Sequence, residues 1–154
     1  MENQYTCHFD IDVRRNEATI ILNAEGHEVV FHFLVPFFSV PSLLYFLLLL
    51  WDRKEKTVEV DGLGNAMILT FTREDNTLFL RHRTLPDGTN MTPIIKHYTF
   101  NFEKFIKAID VGYRENIQEQ RDKGIIPLEV EEHSHAFAQH VIDEYEEFSK
   151  KING

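Results

Sequence analysis

The chain has a single cysteine, Cys7, among 154 residues. That excludes an intramolecular disulfide framework and fits a reducing compartment. Basic residues are also scarce: 16 Lys and Arg stand against 25 Asp and Glu, a formal net charge of −9. Such a balance argues against general nucleic-acid binding, which needs a basic footprint. The first 15 residues are polar and strand-like and lack the apolar stretch of a secretory signal, so the cytoplasm is the expected location. There is no internal repeat or low-complexity tract. The motifs GxSxG and HExxH are missing, as are Walker, kinase and paired-cysteine zinc signatures. Gly62-Leu63-Gly64 reads as a turn, because the rest of a phosphate-binding loop does not follow it.

One absence is local. Residues 29–51 contain no Asp, Glu, Lys or Arg, enough apolar chain to suggest a membrane span of about 20 residues. The interior argues otherwise. Pro36 and Pro41 each remove an amide donor and disfavour helix at the residue before. Residues 28–35 are β-branched and aromatic and read as a strand. Residues 43–51, with Ser42 as a cap, read as a buried apolar helix of about 13.5 Å. A membrane span is therefore not expected.

The 43% apolar fraction and 13 Phe argue against disorder, and the length suits one domain, 1–154. Residues 5–13 alternate, with Cys7, Phe9, Ile11 and Val13 on one face and His8, Asp10 and Asp12 on the other. Residues 18–24 and 28–35 continue an antiparallel meander. Further strands are read at 56–61, 66–73, 77–84 and 91–100, with turns at 62–65 and 85–90. Asn101 caps a helix whose apolar stripe is Phe102, Phe105, Ile106, Ile109, Tyr113 and Ile117. Ser134 is read as the cap of a last helix, with the stripe Phe137, Val141, Tyr145, Phe148 and Ile152. The fold class is α+β. The expected arrangement is an antiparallel sheet of six to seven strands, one buried apolar helix, and two C-terminal helices packed on it.

Eight histidines raise the question of a metal or catalytic site. His133, His135 and His140 lie near Glu131 and Glu132. The spacing matches no zinc pattern, and His135 and His140 would sit about 140° apart on a helix. His8, Asp10 and Asp12 share a strand face, but an apolar opposite face marks it as a solvated outer surface. His82 and His97 lack a nucleophile or orienting carboxylate in sequence. Cys7 faces inward and reads as a small hydrophobe. No metal, cofactor or catalytic residue is assigned.

Negative charge is concentrated at the end. Residues 127–154 hold seven acids and two bases, over half of the chain's net charge of −9. The candidate partner-binding residues are Glu129, Glu131, Glu132, Asp143, Glu144, Glu146 and Glu147, a surface that would steer a basic protein partner. The plainer alternative is a solvated amphipathic face.

The order of a strand meander, the run LLYFLLLLWDRK (43–54), paired strands and the helix FEKFIKAID (102–110) resembles the small acidic immunity proteins encoded beside bacterial polymorphic toxins. The resemblance spans most of the chain in size, charge and element order. It implies a cytoplasmic, non-enzymatic inhibitor that neutralises one cognate toxin, and it transfers no functional residue. Two alternatives stay open: a structural or regulatory domain with another protein partner, and an enzyme built on a His/carboxylate site.

Overall fold

A computed structural model describes residues 4–62, 67–85 and 92–154. The first three strands are β1 (Thr6–Asp12), β2 (Glu17–Ala24) and β3 (His27–Leu34). They form a meander in the order β1-β2-β3. Its register sets Phe9 opposite Ile20 and Ile20 opposite Phe31, so one face is a row of large apolar side chains. After helix α1 (Pro36–Trp51), strands β4 (Thr57–Asp61), β5 (Met67–Glu74), β6 (Thr77–Thr84) and β7 (Ile94–Asn101) form a second meander. Helices α2 (Phe102–Asp122) and α3 (Gln139–Asn153) close the chain. The turn read at 62–65 and the loop read at 85–90 fall largely on residues 63–66 and 86–91, outside the described ones.

The architecture is α+β, but the strands divide into two antiparallel sheets of three and four strands rather than one. The sixteen-residue α1 stands between β3 and β4, and a strand's alternation records its faces but not its neighbours. The inner faces meet at aromatic contacts. Phe31 of β3 sits edge-on to Phe71 of β5 at 6.4 Å, and Phe71 packs on Phe105 of α2 at 5.8 Å. One hydrophobic cluster draws on all seven strands and all three helices.

Three local departures from the sequence reading have physical causes. First, α1 begins at Pro36, not after Pro41. Pro36 occupies the first helical position, where a missing amide costs nothing. Val35 turns the chain with φ 55, and its carbonyl accepts from the amides of Phe38 and Ser39. Pro41 lies inside the helix and deprives only the Phe37 carbonyl of its donor. Ser42 is thus mid-helix and caps nothing. Second, β7 begins at Ile94 rather than Met91, just past Pro93, which has no amide for the ladder. Third, α3 begins at Gln139, not after Ser134. Its first amide is satisfied by Glu131, whose Oε2 accepts from Gln139 N at 2.9 Å.

The Asn101 cap and the apolar stripes follow the sequence reading. Asn101 Oδ1 accepts from Lys104 N at 2.9 Å. All the residues expected in the two stripes are buried, although Phe137 lies just before α3 rather than in it. α2 packs along β1, and α3 packs chiefly on α1 and also on α2.

Candidate functional site

The sixteen residues of α1 carry no charge, so their arrangement rests on shape and burial. Pro36, Ser39, Val40, Leu43, Leu44, Leu47 and Leu50 form the buried side. The other side is not covered. Phe38 is 56% exposed and Tyr45 54% exposed. Seven residues apart, they stand two turns from each other on one line. Pro41, Ser42, Leu48 and Leu49 beside them are half-buried. The helix expected to be buried therefore presents an uncharged apolar stripe.

The stripe ends at Asp52, whose Oδ2 accepts from Lys151 Nζ at 3.1 Å. That pair sets the C-terminal ends of α1 and α3 side by side. On α3, Glu144, Glu147 and Lys151 share one flank by helical spacing, the flank whose Lys151 reaches Asp52. The opposite flank faces α2. There Glu146 lies 3.8 Å from Arg121, and Asn153 Nδ2 donates to Asp110 at 3.0 Å.

This geometry divides the seven acidic residues singled out by sequence. All are exposed. Glu144 and Glu147 lie on the flank of Lys151. Glu146 is turned toward Arg121. Asp143 accepts from Gln139 Nε2 at 2.8 Å, and Glu131 caps α3. Glu129 and Glu132 lie in the segment before the helix. What the sequence reading missed is Phe38 and Tyr45. Their signal was the spacing Phe38, Tyr45, Asp52, visible once the helix is started at Pro36.

Asp110 anchors the site from below. It is almost fully buried and takes Arg114 Nη2 at 2.6 Å. Burial pushes its carboxyl up, but hydrogen bonds from Asn153, Ser149 and Arg114, with the guanidinium charge, outweigh this and hold it below the usual value. α3 is thereby fixed against α2.

The histidines do not gather. His133 and His140 stack at 4.2 Å, with His140 Nε2 2.8 Å from the His133 carbonyl. His135 turns away, and its Nδ1 accepts from Phe137 N at 2.9 Å. No group of three or more His, Cys, Asp or Glu among the described residues is placed to hold a metal. His8, Asp10 and Asp12 lie on the exposed outer face of the three-stranded sheet. His82 is half-buried, and burial followed by the Lys96 charge lowers its pKa. His97 lies opposite Arg81 on the outer face of the four-stranded sheet. Cys7 packs beside α2, where burial and then Glu115 raise its thiol to about 12, so it stays protonated at neutral pH.

No helix among the described residues is long and apolar enough to cross a membrane. No protein-family model matches the chain, and neither a curated protein nor a solved structure does.

Proposed function

We propose that the chain is a non-enzymatic protein-binding module, an inhibitor of the immunity-protein kind. Its partner is a basic toxin domain, held on the surface made by α1 and the adjoining flank of α3. The observation that carries this reading is the exposure of Phe38 and Tyr45 on an uncharged helix face. Aromatic side chains left in water are the residues from which interface centres are built. Glu144 and Glu147 supply an acidic rim on one side of them, which selects a cationic partner and speeds its approach. Cytoplasmic residence follows from this role.

The test is co-expression with the toxin domain encoded beside the gene, scored as growth. Wild type should protect, and the double variant Phe38→Ala/Tyr45→Ala should not, although its far-UV dichroism and thermal midpoint match wild type. Unimpaired protection by that variant would place the interface elsewhere.

A further inference from the structure

The two sheets leave their outer strands in different states. The free side of β1 is closed by α2: a Cβ on Gly112 would come within 2.8 Å of the Cys7 carbonyl oxygen, and Asn116 Nδ2 donates to Phe9 O at 3.2 Å. Toward its C-terminal end β7 is covered, with Tyr5 Oη accepting from Asn101 N at 2.8 Å and His27 packed on Tyr98 at 5.4 Å, but its first half has no comparable cover among the described residues. Among the described residues it pairs only with β6. Its first four residues, Ile94 to His97, are all exposed, with Ile94 at 47% and Ile95 at 42%. Consecutive strand residues point to opposite faces, so both faces of β7 are open here.

The outer face is basic, whereas on the inner face Glu28 of β3 lines one pocket with Ile94 and Lys96. Arg81 of β6 lies opposite His97, and Arg83 lies opposite Ile95. Neither arginine forms an ion pair among the described residues. Lys96 adds a cation on the other face. An unpaired strand edge thus sits among three permanent positive charges on a chain whose net charge is −9.

We propose that the open edge of β7 binds an extended, acidic segment of another protein by strand addition. The backbone edge would supply hydrogen bonds, the isoleucines apolar contact, and the arginines the choice of sequence. A second copy of this chain is the wrong occupant. Two-fold pairing of β7 with itself would bring Lys96 of both copies into one short stretch and join two arginine-bearing strands in one sheet, so the combined surface would carry six like charges, which repel. Pro93 and Lys96 are features that blunt an edge against self-pairing. Two adjacent exposed isoleucines are not. The edge is therefore selective rather than closed. It lies on a different element from the α1 surface and favours the opposite charge, so the two readings fail independently.

The experiment uses the full chain and two short acetylated peptides, one alternating valine with glutamate and one alternating valine with lysine. Hydrogen exchange is followed residue by residue. The valine–glutamate peptide should slow exchange at alternate β7 amides, a pattern that side-chain attraction alone does not give. The double variant Arg81→Glu/Arg83→Glu should bind it at least about tenfold more weakly. The proposal is overturned if no β7 amide is protected, or if the valine–lysine peptide binds equally well. A dimer found by sedimentation without peptide, and lost on Ile95→Lys, also overturns it.

Discussion

Arg73 Nη1 donates to the Leu50 carbonyl at 2.8 Å, so a strand of the four-stranded sheet closes the C-terminus of α1. The same nitrogen reaches the Trp51 carbonyl at 3.2 Å, Nε donates to Asp75 O at 2.7 Å, and the guanidinium lies 4.0 Å over the Phe102 ring. The last carbonyls of a helix lack intrahelical donors and carry partial negative charge. One cation meets both needs and ties α1, β5 and α2 together.

Replacing Arg73 with alanine removes these bonds; Leu50 O keeps the Arg53 amide at 3.2 Å, while the Trp51 carbonyl loses the guanidinium. The expected cost is about 2–3 kcal/mol, read as a lower urea midpoint. Arg73→Lys should recover only part of it, because an ammonium cannot span both carbonyls and cover the ring. Equal midpoints for wild type and Arg73→Ala would show that the helix end is satisfied by solvent.

A second prediction concerns Gly112, mid-way along α2. Alanine is the better helix former by about 1 kcal/mol, so Gly112→Ala should stabilise an isolated helix. Here its Cβ would meet the Cys7 carbonyl oxygen at 2.8 Å and Sγ at 3.0 Å. The carbonyl oxygen belongs to backbone that cannot yield without moving β1. The variant should therefore lose about 1–3 kcal/mol, seen as a lower thermal midpoint. A gain in midpoint would mean that α2 does not lie closely on β1.

These two sites mark what the sequence could and could not disclose. The alternation of Cys7 to Ile11, the Asn101 cap and the apolar stripe from Phe102 to Ile117 were legible because each is a local periodicity or a local hydrogen bond. The close approach of Gly112 to Cys7 joins residues over a hundred positions apart and leaves no local trace. The division into two sheets was hidden for the same reason. The start of α1 is hidden in the sequence because Pro36 and Pro41 look alike there, although a proline in the first turn costs no hydrogen bond and one inside a helix does. The line from Phe38 to Tyr45 is hidden with it. The acidic character of the last residues was legible in the composition, but how those residues divide between two flanks depends on Asp52 and Arg121, which lie on other helices.

A third prediction follows from Asp110. Its folded pKa lies below the ordinary value of 3.8. A group depressed in the folded state adds stability that is fully present above the unfolded value and is lost as pH falls through the folded one. Asp110→Asn should therefore be less stable than wild type at neutral pH. The gap should close as the pH drops below the ordinary carboxylate range. Urea midpoints measured for both proteins from neutral pH down to about 2 test this. A gap that is constant with pH would mean that the carboxylate charge does no work at the junction of α2 and α3.

The last prediction separates the two components of the α1 surface by kinetics. Phe38 and Tyr45 are half exposed or more, and a partner covering them would remove apolar area from water at the centre of the contact. Truncating either to alanine should cost about 2 kcal/mol or more of binding, expressed as faster dissociation, with association little changed. Glu144 and Glu147, on the flank of Lys151, would form its acidic rim. Reversing both to lysine should slow association and flatten its dependence on salt, because exposed charges act mainly through the approach. Neither change should alter folding stability by much, since exposed charges contribute little to it. Reversing Asp143 and Glu146 serves as the control. Glu146 is turned toward Arg121, and Asp143 is already held by Gln139. Their reversal should affect association less than that of Glu144 and Glu147. Surface plasmon resonance at low and high salt, with the proposed basic partner immobilised, resolves the rates. If both pairs of reversals slow association equally, only overall negative charge matters and the acidic rim has no geometry. If Tyr45→Ala leaves dissociation unchanged, the apolar stripe is not the contact.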